Sequence, residues 1–170
     1  MLADANANGI VLDGVVAASK AQAATLWKIR ESTWEGQRGE GASIKHDVSI
    51  PISSVPEFMR RATAALAEPF DGARIFAFGH VGDGNIHFNL AQPVGGDPDA
   101  FLARSREAHD IVHDIIGSLN GSISAEHGIG RLKRKELALY KSKSEIDAMR
   151  AVKMALDPLN IMNPGVLLPD

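Results

Sequence analysis

Two runs of alternating apolar and polar residues, Ala73 to His80 and Asn85 to Gln92, meet across Val-Gly-Asp-Gly at 81–84, and this junction constrains the fold more than any other feature. Asp83-Gly84 suits the tight two-residue turn that joins antiparallel strands, because such turns need positive φ and continue the strand twist. A two-residue turn there predicts that Gly82 pairs with Asn85, Val81 with Ile86 and His80 with His87. Alternation then sets Asn85, His87 and Asn89 on a polar side and turns Ile86, Phe88 and Leu90 toward a core.

The remaining pattern supplies helices to cover that core. Residues 2 to 8 read as the end of a helix capped by Gly9, which predicts a boundary cut from a longer chain. Ile10 to Ala17 reads as a strand, and Ser19 as the N-cap of a helix carrying Ala23, Leu26, Trp27 and Arg30. Glu35 to Ala42, rich in glycine and charge, reads as a loop. His46 to Ile52 reads as a strand that Pro51 confines to an end or an edge, and a helix follows from Ser53 or Ser54 to about Ala67. Asp99 to Leu119 is predicted as one long amphipathic helix with a stripe of Phe101, Ala108, Val112, Ile115 and Leu119. Two helices, Arg131 to Tyr140 and Ser144 to Leu156, precede Pro158 and Pro164-Gly165. Together these elements predict an α+β fold, a mostly antiparallel sheet with helices packed on it.

The chain has 170 residues, 45% of them apolar, enough for one sizeable core and one domain spanning 1–170. A net charge of -3 without a basic stripe argues against nucleic acid and anionic membranes as partners. No apolar run is long enough to span a bilayer, and the acidic start is unlike a signal peptide. With no cysteine, any metal must be held by histidine and carboxylate, and a cytoplasmic location is expected.

Chemistry gathers in two places. Directly opposed on the hairpin, His80 and His87 would have Cβ atoms ~4.5 to 5.5 Å apart, within reach of one metal ion. The same spacing fits two histidines that merely decorate a polar sheet face. Glu126 and His127 stand beside Gly128 and Gly130, where a carboxylate can complete a two-His, one-carboxylate set with open positions and an imidazole can move protons near neutral pH. An inert surface turn fits these residues as well. Arg30 and Lys45 can clamp a carboxylate or stand as solvated cations. His109 and His113, one helical turn apart, could chelate a metal but read as surface residues, and Trp27 and Trp34 as packing residues. Gly128-x-Gly130 lacks the strand and acidic residue of a dinucleotide fingerprint.

Three segments in order, Gly-His-Val-Gly-Asp-Gly-Asn-Ile-His-Phe-Asn at 79–89, Ser-Ala-Glu-His-Gly-Ile-Gly at 124–130 and Asn-Pro-Gly-Val-Leu at 163–167, resemble the C-terminal domain of FAD-linked oxidases. That family includes D-lactate dehydrogenase, the D subunit of glycolate oxidase and D-2-hydroxyglutarate dehydrogenase. Leu26-Trp27 through Arg30-Glu31 and Lys45-His46-Asp47-Val48 through Pro51 extend the resemblance over nearly the whole chain. It implies a ferredoxin-like cap with a C-terminal helical segment. It implies that His80, His87 and Glu126 bind a divalent metal, usually zinc, and that His127 takes the proton of a D-2-hydroxy acid while hydride passes to FAD. Arg30, Lys45 and Asn89 would orient carboxylates, and Asn163 would lie near the flavin. Where the hydroxyglutarate branch commonly has threonine, this chain has Trp34 beside Thr33, a departure that bears on the five-carbon diacid. The FAD domain of such enzymes precedes this part, so the chain alone is expected to be inactive and to expose a surface that meets that domain or a second copy. Two other readings remain: a self-contained metal-dependent hydrolase, and a non-catalytic ferredoxin-like assembly module.

Overall fold

The computed structural model describes residues 2–169, and of Trp34 the backbone alone. The chain falls into two compact units, Met1–Gly39 and Glu40–Asp170.

The first unit is helical. It holds α1 (Leu2–Ala7), α2 (Lys20–Glu31) and α3 (Thr33–Arg38). Gly9 follows α1 with a φ of 68°, and the Ser19 side chain accepts a hydrogen bond from the Gln22 N–H at the start of α2, both as the sequence predicts. Residues 10–17 form no strand, contrary to the expectation, and Ile10, Leu12, Val15 and Val16 are exposed. An isolated extended segment has no ladder in which to place its backbone N–H and C=O groups, and no described strand lies in this unit to provide one. Residues 35–38, read as part of a loop, belong to helix α3, because the Gly36 N–H bonds the Ser32 carbonyl and keeps the helical ladder running.

The second unit contains β1 (Ser43–Ser49), α4 (Val55–Ala67), β2 (Arg74–His80), β3 (Asn85–Ala91), α5 (Pro98–Ala103), α6 (Ser105–Ser118), α7 (Arg134–Tyr140) and α8 (Lys143–Leu156). The sheet order is β1-β3-β2, antiparallel throughout. Ser49 and Ser122 add an isolated antiparallel bridge on the far side of β1. The sequence of elements β1-α4-β2-β3-α6-bridge thus follows the split βαβ order of a ferredoxin-like fold, with its fourth strand reduced to one bridge. The fold is α+β.

Burial explains why these strands and helices assemble. Ile44, Val48, Ile86, Phe88 and Leu90 project from one sheet face into a core closed by Phe58, Ala62 and Leu66 of α4 and Ala108, Val112 and Ile116 of α6. Phe58 and Phe88 meet edge to face, with ring centroids 5.3 Å apart. β1 lies three residues earlier than predicted, since Ile44 and Val48 supply its inward face and Pro51, which cannot donate to a ladder, follows the strand. The predicted single helix over 99–119 is broken at Arg104 into α5 and α6.

The hairpin turn differs from the prediction in a way that matters for chemistry. Val81–Asp83 forms a 3-10 turn closed by Gly84 at φ 69°, so the loop has four residues and not two. His80 therefore pairs with Asn85, Gly79 with Ile86 and Phe78 with His87. The closure has a physical cause: the Gly84 N–H bonds the Val81 carbonyl while the Gly84 carbonyl accepts from the Ile50 N–H at 2.8 Å. His80 and His87 still share a face, but as diagonal neighbours, a relation that sets residues roughly 7 Å apart.

Candidate active site

The sheet face opposite the core carries the polar residues. Because β1, β3 and β2 are in antiparallel register, Lys45 stands across from Asn89, Asp47 across from His87 and Ser49 across from Asn85, with Phe78 and His80 on the neighbouring strand. Glu126 and His127 reach this face through backbone bonding. The strand-like segment after α6 exchanges two hydrogen bonds between Ser49 and Ser122, at 3.0 and 2.7 Å, and the Ala125 N–H then bonds the Asp47 carbonyl at 3.2 Å. The chain from 122 to 127 is thus led along the open edge of β1.

Asp47 is the centre of the arrangement, and the sequence reading did not single it out as a site residue. It is buried, at 4% exposure, yet polar. Its Oδ2 accepts the main-chain N–H groups of Glu126 and His127, both at 2.8 Å. Its Oδ1 lies 3.6 Å from His87 Nδ1, and its Oδ2 lies 3.5 Å from His127 Nδ1. Burial opposes ionisation of Asp47, but the His127 and Glu126 N–H donors and the nearby His127 and His87 rings outweigh it and hold the carboxyl below its ordinary range. The available signal was alternation: with Lys45 outward on β1, Asp47 must share its face.

Glu126 joins the two hairpin histidines that the register separates. Its Oε1 is 3.5 Å from His80 Nδ1, and its Oε2 is 3.5 Å from His87 Nε2. The Asn85 side chain donates to Glu126 Oε1 at 2.5 Å and fixes the carboxylate between them. The His87 ring neighbours those of Phe78 and His127, with centroids 5.0 and 5.9 Å away. Donor atoms of Asp47, His87 and Glu126 lie within 4.8 Å of one another. Imidazole and carboxylate donors of this kind suit a divalent first-row metal, and the buried Asp47 Oδ1 has no hydrogen-bond partner among the described residues, so the donor set fits such an ion.

Lys45 and Asn89 are cross-strand neighbours on the same polar face, Lys45 exposed and Asn89 buried. Arg30 belongs to the first unit, where it lines a groove with Ala17, Ala23, Leu26 and Trp27. Trp27, read as a packing residue, is 62% exposed, because α2 buries no residue of its own. The side chain of Trp34 lies outside those described. Asn163, at φ 50°, lines a separate groove of about 310 Å³ with Arg134, Arg150, Lys153 and Asp157. His113, expected at the surface, is buried, and His109 is partly buried, because the inward stripe of α6 is broad enough to include 108, 112, 113, 115 and 116.

Comparison with known proteins adds the lineage. The family described as FAD linked oxidases, C-terminal domain, matches residues 1–167. The chain belongs to this family. Among its relatives, a D-2-hydroxyglutarate dehydrogenase of Stutzerimonas stutzeri (strain A1501) is 41% identical over 157 residues, covering 92% of this chain and 34% of the relative. One from Xanthomonas citri pv. viticola is 39% identical over 159 residues, 94% of this chain and 34% of that protein. The mitochondrial D-2-hydroxyglutarate dehydrogenase of Arabidopsis thaliana is 35% identical over 161 residues, 95% of this chain and 27% of that protein. This FAD-linked oxidase domain thus spans about a third or less of the length of the curated relatives it matches. No helix among its described residues is long and apolar enough to cross a membrane.

Proposed function

We propose that this domain is the substrate-facing part of an FAD-linked dehydrogenase that oxidises a D-2-hydroxy acid, with D-2-hydroxyglutarate as the first substrate to test. The observation that carries the proposal is the convergence of His80, His87, Glu126, Asp47 and His127 on one sheet face of a chain in the FAD-linked oxidase family. The names of the relatives support hydroxyglutarate over lactate or glycolate. Trp34, in place of the threonine common in that branch, is the feature that weighs against it.

His80, His87 and Glu126 would hold a divalent metal, zinc foremost, with Asp47 beside His87; such an ion would polarise the hydroxyl and carboxylate of the substrate. FAD, held mainly by the rest of the parent protein and near Asn163, would supply the two-electron acceptor for the hydride of the substrate α-carbon. His127 takes the hydroxyl proton, so that the C–O bond becomes a carbonyl and the product is a 2-oxo acid. Asp47 serves this step by holding the His127 backbone and standing beside its Nδ1, which positions the imidazole. Lys45, Asn89 and Arg30 orient substrate carboxylates, Lys45 as a point charge and Arg30 through its planar fork.

The 170-residue chain alone would oxidise nothing. Exposed Leu156, Leu159, Ile161 and Met162 near its C-terminus support a surface covered by the flavin-bearing part of the protein or by a second copy. Light scattering and dye binding on the chain test this; a monomer that binds no apolar dye counts against it. The absence of cysteine supports a reducing compartment such as the cytoplasm.

The deciding experiment measures dye reduction by the whole FAD-containing protein with D-2-hydroxyglutarate, D-lactate and glycolate, alongside the metal content of the dialysed chain and its His80→Ala variant. His127→Asn should lower kcat by about 10²-fold or more. Metal that disappears in His80→Ala supports the ligand set. Ester or amide hydrolysis by the chain without flavin would replace this reading with a hydrolase.

A further inference from the structure

Behind β1, on the core face, a second group of histidines stands apart from the polar-face cluster. His46 projects inward from β1 between Ile44 and Val48, and α6 presents His109 and His113 to it. The ring centroids of His46 lie 4.8 Å from His109 and 5.7 Å from His113, and His109 and His113 stack at 5.4 Å. One nitrogen of each ring lies within 4.8 Å of the other two. His46 and His113 are each 1% exposed.

The hydrogen bonding leaves ring nitrogens of this group without partners among the described residues. His46 Nδ1 is 2.8 Å from the Phe88 carbonyl, which can only accept, so the neutral ring carries N–H at Nδ1 and a lone pair at Nε2. His46 Nε2, His109 Nδ1, both nitrogens of His113 and Glu136 Oε2 are buried without a hydrogen-bond partner among the described residues. Leaving buried polar atoms unsatisfied is costly, and these five meet in one part of the core. Glu136 Oε2 stands 3.2 Å from His113 Nδ1. A backbone carbonyl behind one imidazole and a carboxylate behind another is the arrangement that fixes tautomer and ring orientation in metal-bound histidine.

We propose that His46, His109 and His113 bind a divalent first-row metal ion in a buried site, with Glu136 backing His113 and zinc as the first candidate. Three imidazoles select zinc, copper or nickel over magnesium or calcium, which prefer oxygen. Tetrahedral coordination at ~2.0–2.1 Å per bond sets ligand nitrogens roughly 3.4 Å apart, so side-chain rotation closes the group onto an ion. Lys133 and Arg106 are the cations that work against the site; the Lys133 ammonium is tied to the Ile123 carbonyl at 2.7 Å, Arg106 is paired with Asp110, and Glu136 supplies an offsetting charge. The ion ties α6 to β1 through the core. It is structural, and this assignment does not depend on the proposed dehydrogenase activity.

The test is zinc content by elemental analysis on the whole chain, stripped with chelator, reloaded and gel-filtered, for the parent sequence and for His109→Gln, His113→Gln and Glu126→Gln. One equivalent that survives Glu126→Gln and is lost in His109→Gln and His113→Gln is the expected result. His113 lies in the core, so the partly buried His109 carries the decision if His113→Gln fails to fold. Visible absorption of the cobalt(II)-loaded chain gives a second reading: the intense bands of a tetrahedral site should persist in Glu126→Gln and vanish in His109→Gln. A folded His109→Gln chain that retains all the metal of the parent overturns the proposal, as does a parent chain that binds none. Metal lost only in Glu126→Gln assigns it to the polar-face cluster alone and also overturns it, whereas metal lost only in the histidine variants supports it and removes the ion from the dehydrogenase reading.

Discussion

Asp47 holds His127 twice: its Oδ2 accepts the His127 main-chain N–H at 2.8 Å and stands 3.5 Å from the ring Nδ1. The same oxygen accepts from Glu126, so a single buried carboxylate fixes both residues of the Glu-His pair. Hydrogen bonds to a charged acceptor contribute about 1.5–3 kcal/mol each. Asp47→Ala should therefore destabilise the chain by about 3 kcal/mol in urea unfolding and raise amide exchange at residues 125–128. Unchanged exchange there would show that Asp47 does not anchor the segment.

Gly84 is the hinge of the four-residue hairpin loop. Its φ is 69°, and a Cβ built on it lies 2.0 Å from the Ile50 carbonyl oxygen. Gly84→Ala must both strain the backbone and push apart the contact between the loop and the chain after β1. We expect a loss of about 2 kcal/mol or more by chemical denaturation and, under the proposed ligand set, weaker metal binding. A stability equal to that of the parent would contradict the loop geometry.

Phe58 is fully buried and meets Phe88 edge to face. Phe58→Ala should cost about 3–5 kcal/mol, read from the urea midpoint at constant slope. Phe58→Leu should recover much of that loss, because most of the volume is restored.

Acidification should weaken the metal-free chain well before its carboxylates protonate. Burial, reinforced by His109, lowers the His46 pKa to about 3, and burial with His46 and His109 does the same for His113, against an ordinary value of 6.5. A depressed imidazole pKa means that the unfolded chain binds more protons than the native one between those values. Stability is then full above about pH 6.5 and falls as the pH drops toward 3. Lys133 lowers both imidazole pKa values further and Arg106 that of His113, while Glu136 lies 3.2 Å from His113. Urea midpoints in chelator from pH 7.5 to 5 should fall steadily, and His113→Leu should flatten the curve. Asp47 adds its own loss below about pH 5, as the pH falls from the ordinary carboxyl value near 3.8 toward its lowered one. A midpoint independent of pH would argue against buried neutral histidines.

The parts of the fold that depend on neighbouring residues were legible. Alternation over 85–91 separated Asn85, His87 and Asn89 from Ile86, Phe88 and Leu90, and the helical period over 105–118 found the stripe of α6. Segment 10–17 misled because its β-branched residues favour a strand that only a partner can stabilise. The hairpin register was misjudged by two residues, since Asp-Gly fits a two-residue turn as well as the end of a 3-10 loop, and the Ile50–Gly84 hydrogen bond that selects the latter comes from outside the hairpin.

The sequence by itself determined which residue types and motifs were available: a hairpin with two histidines, a Glu-His turn between glycines, and amphipathic helices to cover one sheet face. Periodicity and turn chemistry are local energies, so a single chain displays them. Tertiary structure alone decided that Asp47 meets Glu126 and His127, 79 and 80 residues away, and that His46 on the opposite side of the same strand meets His109 and His113. Those meetings depend on the path of residues 122–127 along the β1 edge and on the packing of α6 beneath it, energies shared among distant segments that no local pattern records.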